Sequence, residues 1–353
     1  MIERIKKLKS CLIPLATCLG VAACGLLIIW GVLARSYGVS LLKKDFIKLI
    51  NSLNAAGYDI AYDKIEFTPV SPFKIMKIEN FKLYKGSKED RWEWVIPEVL
   101  LNAGLVNYQN LTLKLSTEQT FKYDNEVRNI TAEAPAIELR FNDYGFQLLS
   151  GDIRNIKIEN LAEIESLRIG SQRMAPLQIN KESPFLENYI GISNITLLTG
   201  NTWNLSPNIE ELYLNANVMG TMEEMPNYKD SIVKWRNDGG FIEIKKLIVN
   251  WQPLVMVSRG SLRFDENFSP RLRLITTSKA LIDTLDDLEA AKILDRKGVF
   301  VTKILLGNKA IKNFESEMYY TVVSPLTATP QEITIEGIPV WTGAAGSNKL
   351  SAD

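Results

Sequence analysis

The hydrophobic pattern near the start of the chain is that of a membrane-spanning helix. From Cys11 to Ala34 no side chain is charged, and roughly 20 apolar residues suffice to cross a bilayer as a helix. Four basic residues lie before this run, within residues 1–10. The positive-inside rule therefore predicts a cytoplasmic basic segment at 1–10, an uncleaved signal anchor at 11–34, and the rest of the chain on the far side of the membrane.

Two other interpretations of this run stay open. A cleaved secretory signal usually has an apolar region of only about 7 to 15 residues, and this run is longer. A lipoprotein signal would end at Cys24, which follows the small residues Ala22 and Ala23. Residues 25–34 stay apolar, however, whereas a mature lipoprotein normally begins with polar residues. The length of the run fits an uncleaved anchor best.

A helical spacing of apolar residues follows the predicted span. Between Leu42 and Leu53 apolar residues recur at intervals of three and four, and charged residues lie between them. This spacing predicts an amphipathic helix over 36–57. We expect this helix to connect the anchor to the exported part of the chain as a stalk.

From Tyr58 onward the period of the apolar residues changes to two. Alternation typical of half-buried strands recurs at 75–83, 153–161, 165–169, 189–198, 209–214 and 241–249. Turn-forming residues separate several of these segments, so consecutive strands are expected to be antiparallel. Arg259 to Phe264 and Arg271 to Thr276, for example, are predicted to form one hairpin. The fold class is a β-rich α+β domain over 58–342.

One helical interruption is expected near the end of this domain. Leu281, Leu285 and Leu288 have helical spacing, with Ser278 as the predicted N-cap, and a second helix is expected to pass through Val301 and Leu306. The helical hairpin spans 278–311. Strands are expected at 315–323 and 332–340, and the small polar residues of 343–353 predict a flexible tail. No Pro, Gly or Ser-rich linker divides the exported part, although a soft boundary is expected near 174–184.

Composition excludes several classes of chemistry. The chain has no histidine, which removes every imidazole nucleophile partner and metal ligand. Lysine plus arginine and aspartate plus glutamate both number 41, so no overall positive field attracts nucleic acid. All three cysteines, Cys11, Cys18 and Cys24, lie within the predicted span. The exported part therefore contains no disulfide and no thiolate metal site.

Carboxylates are the remaining candidates for catalysis or cation binding. The adjacent acidic pairs are Glu210/Glu211, Glu223/Glu224 and Asp286/Asp287. A glycosidase needs two carboxylates several ångströms apart, whereas neighbours on a strand point to opposite faces. The acidic run Asp283, Asp286, Asp287 and Glu289 lacks the residue spacing of a calcium loop. Solvated surface positions explain these residues better than a site does.

The aromatic residues leave two structural interpretations open. Trp92, Trp94, Trp203, Trp235, Trp251 and Trp341 are spread over the exported domain, and packing in a closed core explains them. If a strand face stays uncovered instead, leucine, isoleucine and tryptophan would form an apolar groove that accepts an acyl chain. Periodicity alone does not distinguish these two arrangements.

Several segments resemble one bacterial family. These segments are GYDIAYD at 57–63, SPF at 71–73 leading into KIENFKLY, WEWVIPE at 92–98, the hairpin sequence at 251–274, the helical sequence at 280–295 and ITIEGIPVW at 333–341. The chain is similar over most of its exported part to a widespread family known only as a domain of unknown function. That family is distantly similar to the AsmA and TamB type of anchored envelope proteins.

The resemblance implies a function in the bacterial cell envelope. It implies an elongated, curved antiparallel sheet and a role in binding or moving lipid, or in assisting outer-membrane biogenesis. We therefore expect a non-catalytic, single-pass inner-membrane protein with a periplasmic domain and no cofactor. The sequence assigns no catalytic, cofactor-binding or metal-binding residue, and the lipid-contacting residues stay unassigned.

Two alternative functions are kept beside lipid binding. The first is a periplasmic scaffold that binds an envelope protein by pairing with an exposed strand edge. The second is a carboxylate-based hydrolase that acts on envelope glycans.

Overall fold

The computed structural model describes most of the chain from Gly57 onward. The described residues are 47, 50, 51, 54, 57–67, 74–85, 91–103, 109–123, 126–142, 145–174, 183–198, 206–222, 228–309, 311–312 and 320–343. They form a β-rich fold of antiparallel strands with helices. The chain divides into two compact units, Met1–Asn160 with Pro226–Lys229 and Leu161–Met225 with Asp230–Asp353.

Several predictions for the N-terminal region and the tail lie outside the described residues. These are the basic segment 1–10, the anchor 11–34 with Cys24, and residues 344–353 of the tail. Within the predicted stalk, Ile47, Ile50, Asn51 and Asn54 are helical, and the Gly57 amide donates a 2.9 Å hydrogen bond to the Asn54 carbonyl. None of the described helices combines the length and apolar character that a membrane crossing requires.

The first unit is a meander of long and interrupted strands. Its strands are β1 Asp59–Ala61, β2 Lys64–Phe67, β3 Lys74–Lys85, β4 Trp92–Ala103, β5 Asn110–Leu115, β6 Glu118–Tyr123, β7 Glu126–Glu133, β8 Ala136–Asn142 and β9 Gly145–Ile158. β1 and β2 each pair with a different part of β3. β3 also pairs with β4. β4 pairs with both β5 and β6. β5 then pairs with β8, and β6 pairs with β7. Both β7 and β8 pair with β9.

Irregular positions interrupt the strands of this unit near mid-length. They include Asp63, Asn80, Pro97, Ser116, Ala134 and Asn155. Asn80 and Asn155 have φ values of 51° and 50°, in the left-handed region that asparagine tolerates better than most residues. The Asn80 amide donates a 2.5 Å hydrogen bond to Asp63, and the Asn155 amide a 2.6 Å hydrogen bond to Glu133. Cross-strand carboxylates thus hold the conformations that interrupt regular pairing.

The apolar side chains of this unit are well buried. Ile78, Leu101 and Leu139 are only 1–2% exposed. At one end of β4 the Trp92 ring lies between Tyr58 and Phe121, with centroid distances of 6.3 Å to each. Packing at this level is typical of a closed core.

The second unit contains a longer meander and helices. Its strands are β10 Ala162–Arg173, β11 Pro184–Leu197, β12 Asn208–Met219, β13 Phe241–Trp251, β14 Leu254–Phe264, β15 Pro270–Lys279, β16 Ile311–Lys312, β17 Tyr320–Ala328, β18 Glu332–Ile335 and β19 Ile338–Thr342. Its helices are α1 Tyr228–Asn237, α2 Leu281–Ala290 and α3 Arg296–Lys309. From β10 to β15, each strand pairs with the next one in the chain. β15 also pairs with β17, and β17 pairs with both β16 and β18. β18 pairs with β19.

The helices α2 and α3 form the hairpin that the sequence predicts, and they cover one end of this sheet. Leu285, Val299 and Leu306 pack against Val322 and Val340 of the strands in one buried cluster. Each of these five side chains is at most 2% exposed. Burying aliphatic side chains to this degree contributes roughly 1.5–3 kcal/mol per residue. This cluster therefore fixes the helical hairpin on the sheet.

The start of the helical hairpin differs from the prediction. Ser278 was expected to cap α2, but it is part of β15, is 1% exposed, and donates a 3.4 Å hydrogen bond from Oγ to the Val322 carbonyl. Ala280 takes the N-cap position with a φ of 56°. The strand continues through Ser278 because its backbone pairs with β17. Sheet pairing thus overrides the local capping preference.

Two further elements differ from the sequence-based expectation. Residues 332–340 form two strands instead of one, joined at Glu336 and Gly337, whose φ values of 55° and 78° are those of a tight hairpin turn. Helix α1 was not predicted at all. Its sequence YKDSIVKWRN has few apolar residues, so helical periodicity gave no signal there.

Thr302 of α3 carries a hydroxyl that the fold buries without a partner. The side chain is 0% exposed, and Oγ1 has no hydrogen-bond partner among the described residues. An unsatisfied buried hydroxyl costs about 1–3 kcal/mol. Replacing Thr302 by valine keeps the shape and removes this cost, so we expect the variant to be as stable as the native protein or up to about 1 kcal/mol more stable. Urea unfolding would measure this, and a loss of stability would contradict the expectation.

Candidate functional site

Two rows of apolar side chains cross one face of the second unit. Residues directly opposite each other in an antiparallel pair lie on the same face. The first row is Leu167, Ile192, Leu212, Val249 and Met256, each opposite the next across β10 to β14. The second row is Ile169, Ile190, Leu214 and Leu247 across β10 to β13. No charged residue interrupts either row.

The middle of these rows is only half-buried. Ile190, Ile192, Leu212, Leu214 and Leu247 all remain partly accessible, in contrast to the 1–2% exposure of Leu101 and Leu139 in the first unit. A central sheet face in a closed core would be shielded from solvent on this side. We call this half-buried part of the two rows the apolar face.

The apolar face ends where the helical hairpin begins to cover the sheet. The second row continues into Ser258, Thr276 and Ser324 of β14, β15 and β17, and all three are only 1–2% exposed. Ser258 Oγ and Thr276 Oγ1 share a hydrogen bond of 2.9 Å. Small paired hydroxyl groups replace the apolar row at this end, so the accessible apolar stretch has a defined limit.

The opposite face of the same strands mixes polar and charged groups with apolar side chains such as Ile248 and Val257. Glu187 lies on β11 next to Lys245 of β13, and the hydrogen bond from Lys245 Nζ at 3.0 Å holds the pKa of the Glu187 carboxyl below its usual value. Tyr189 covers Gly170, where an added Cβ would lie 2.1 Å from the ring. The two faces of the sheet therefore differ in chemistry: one is aliphatic, and the other carries charged and hydrogen-bonded groups.

One protein family accounts for most of this chain. A family described as an uncharacterized protein conserved in bacteria, DUF2125, matches residues 40–307. The chain belongs to the DUF2125 family. The match contains both apolar rows and most of the helical hairpin, while the closing segment ITIEGIPVW at 333–341 lies beyond it. The expected membership in an uncharacterised bacterial family is thereby confirmed.

Other comparisons give no further relative of this DUF2125 protein. No curated protein and no solved structure matches the chain.

The acidic pairs noted in the sequence do not form a shared carboxylate site. Glu210 accepts a 2.6 Å hydrogen bond from the Asn250 amide, and its neighbour Glu211 lies on the opposite side of β12. Asp286 pairs with Lys303 of α3 at 2.5 Å. Glu223 and Glu224 lie outside the described residues. Each described pair is thus explained by strand or helix packing.

The acidic run on α2 is also divided between different partners. Glu289 lies 3.6 Å from Arg296, whereas Asp286 faces Lys303. Among the residues that the structure describes, no three acidic or cysteine side chains are grouped to hold a metal ion.

Most of the described tryptophans have structural partners. Trp92 and Trp235 are 8% and 5% exposed, and Trp94 donates from Nε1 to Gln119 at 2.9 Å. Trp251 donates to the Ser206 carbonyl at 2.6 Å, and Trp203 lies outside the described residues. The apolar face is built from Ile, Leu, Val and Met instead. Sequence alternation identified its strands but gave no sign of which face stays uncovered.

Proposed function

We propose that this DUF2125 protein binds lipid acyl chains on the apolar face of its second unit and has no catalytic activity. The observation that supports this proposal is the run of half-buried aliphatic side chains across β10 to β14, with no charged residue among them. A solvent-accessible apolar surface of this kind usually marks a binding site for an apolar partner.

The dimensions and chemistry of the face favour an acyl chain. Adjacent strands lie about 4.8 Å apart, so the first row extends over about 19 Å from β10 to β14. Flexible, aliphatic side chains such as Met256 and Leu214 match a methylene chain better than a flat or polar ligand. Each methylene removed from water contributes about 0.8 kcal/mol, part of which offsets the entropy lost on binding.

The same proposal includes the cell-envelope setting. The uncharged run at 11–34 would anchor the chain in the bacterial inner membrane with its N-terminus in the cytoplasm and both units in the periplasm. The proposed role in lipid transfer or outer-membrane biogenesis also draws on the expected distant resemblance of the family to AsmA and TamB type proteins.

Adjacent residues of β13 provide a matched test of this proposal. Leu247 lies on the apolar face and Ile248 on the opposite face, and both are half-buried. The full chain in detergent would be titrated with a fluorescent fatty acid. We expect Leu214→Asn with Leu247→Asn to weaken binding at least tenfold, which corresponds to about 1.4 kcal/mol. Ile248→Asn should leave binding within about twofold of native.

A second variant separates lost binding from lost folding. Val249→Phe fills part of the apolar face without adding a polar group. We expect this variant to weaken fatty-acid binding at least fivefold while its circular dichroism spectrum stays native. Equal effects of the Leu247 and Ile248 changes, or unchanged binding in all variants, would exclude the apolar face as the site.

The strand-edge alternative has less support. In the part of the chain that the structure describes, β19 pairs with β18, but Pro339 in this strand has no N–H to donate. The Asp295 amide already donates a 2.8 Å hydrogen bond to the Val340 carbonyl. An incoming strand would have to displace this contact. A partner protein crosslinked to β19, with no lipid bound to the chain, would favour the scaffold.

The hydrolase alternative also has less support. A catalytic acid usually has a raised carboxyl pKa, whereas hydrogen bonds lower the pKa of the Glu187 and Asp265 carboxyls. No observation on the described carboxylates favours the hydrolase, so it is not the function we propose.

A further inference from the structure

A cavity lined by arginine side chains lies at the hairpin between β14 and β15. Its volume is about 580 Å³, and four arginines line it against two acidic residues, Asp265 and Glu266. The arginines are Arg236, Arg263, Arg271 and Arg273. This local excess of two positive charges contrasts with the net charge of zero for the whole chain.

The strand register brings three of these arginines onto one face. Arg263 lies directly opposite Arg271, and Ser261 lies opposite Arg273. Residues 261 and 263, like 271 and 273, are two apart on their strands and so share a face. Like charges directly opposite each other destabilise a strand pair. The fold therefore keeps a repulsive arrangement at this position.

Contacts within the hairpin leave two of the arginines without an acidic partner. Arg271 lies 3.3 Å from the Asp265 carboxylate. Arg263 lies over the Phe241 ring at 4.4 Å. Among the described carboxylates, none forms an ion pair with Arg263 or Arg273, and both arginines are exposed.

The turn itself is rigidly organised beside these side chains. Asp265 accepts hydrogen bonds of 2.9 Å from the backbone amides of Ser269 and Asn267, which hold the pKa of its carboxyl below the usual value. Arg236 of α1 donates to the carbonyls of Asp265 and Glu266 at 3.0 and 2.7 Å and lies over the Phe268 ring at 4.3 Å. Asp265 is thus held by its own turn and pairs with Arg271, so among the described residues it does not pair with Arg263 or Arg273.

We propose that this cavity binds a phosphate group, using Arg263, Arg271 and Arg273. The planar guanidinium fork matches phosphate oxygens in bidentate geometry. Three converging cations suit a phosphate dianion better than a single carboxylate. The cavity is larger than a bare phosphate, so it has room for the glycerol or sugar part of a phosphate ester.

This site does not depend on acyl-chain binding. The apolar residues Leu262 and Leu272 alternate with these arginines along β14 and β15, so the arginines lie on the face opposite the apolar rows. Loss of either activity alone would therefore be distinguishable from loss of the other.

The test is calorimetric titration of the full chain in uncharged detergent with inorganic phosphate, at an ionic strength held constant with sodium chloride. Arg263→Gln with Arg273→Gln is expected to weaken phosphate binding at least tenfold. Arg259→Gln is the matched control, because Arg259 lies on the same face of β14 but outside the cavity, and it should change binding less than twofold. Fatty-acid binding should stay native in both.

A charge-conserving variant separates phosphate geometry from general attraction. Arg263→Lys with Arg273→Lys keeps both charges but loses the two guanidinium groups that bind in bidentate geometry. We expect this variant to weaken phosphate binding at least threefold. Phosphate binding that is unchanged in the glutamine and lysine variants, or that the Arg259 change reduces equally, would overturn the proposal.

Vesicles distinguish the source of the phosphate. Binding of the chain to phosphatidylcholine vesicles with and without phosphatidic acid would be compared with binding of glycerol 3-phosphate. Arginine-dependent preference for phosphatidic acid identifies a lipid headgroup, and arginine-dependent binding of glycerol 3-phosphate alone identifies a soluble ester. Either result supports the site. The proposal is rejected if neither of these ligands nor inorganic phosphate binds in an arginine-dependent way.

Discussion

Replacing Leu306 by alanine is expected to lower the free energy of unfolding by about 2–5 kcal/mol. Leu306 is 0% exposed and lies in the cluster that joins α3 to β17 and β19. The truncation removes apolar contacts and leaves a cavity that the tightly packed hairpin can fill only in part. Equilibrium urea unfolding of the full chain in detergent, followed by circular dichroism, measures the change.

Ile304 provides the control for this prediction. It lies on the same helix but is 53% exposed, so Ile304→Ala should change stability by no more than about 0.5 kcal/mol. Equal stability of the two alanine variants would contradict the packing of Leu306 between α3 and the sheet.

The second large effect is expected at Trp235. Trp235→Ala should cost about 3–5 kcal/mol, because the indole is 5% exposed and donates a 2.7 Å hydrogen bond from Nε1 to the Met219 carbonyl. Gly240 leaves the space for the ring, since an added Cβ would lie 2.3 Å from Nε1. The side chain thus joins α1 to the end of β12 and the start of β13.

Trp235→Phe divides this effect into two parts. Phenylalanine keeps much of the apolar volume but loses the donor, so we expect a smaller cost of about 1–3 kcal/mol from the unpaired Met219 carbonyl and the lost area. Urea unfolding of both variants gives the comparison. A Trp235→Ala variant no less stable than Trp235→Phe would show that packing of the ring contributes little.

The position of Trp235 also connects stability with the proposed phosphate site. The next residue, Arg236, bonds to the turn that carries Asp265 and Glu266. Weak docking of α1 would therefore disturb the cavity without touching Arg263 or Arg273.

The sequence predicted local features wherever one pattern dominated. Alternation in segments such as 241–249 identified strands that the structure contains, and the predicted hairpin of 259–264 with 271–276 is present, with Leu262 opposite Leu272. The spacing of Leu281 and Leu285 correctly indicated a helix with a buried stripe. These features depend on near neighbours in the chain, so the sequence carries them directly.

Other local features were missed because competing interactions come from distant residues. Ser278 stays in β15 because β17 pairs with it, 44 residues further along the chain. Helix α1 has little apolar periodicity, and its main anchor is one side chain, Trp235, in a space left by Gly240. The turn at Glu336 and Gly337 divides a segment whose alternation is otherwise typical of one strand.

By itself, the sequence determined that the chain is β-rich, that antiparallel hairpins connect its strands, and that it belongs to an uncharacterised bacterial family. Only the tertiary structure decided which faces are covered. Alternation marks Leu214 and Leu83 alike as inward-facing, yet Leu214 is half-buried and Leu83 is 5% exposed. Likewise, Arg263 and Arg271 converge only through strand register. Burial and convergence depend on which segments lie against each other, and a one-dimensional pattern does not contain that information.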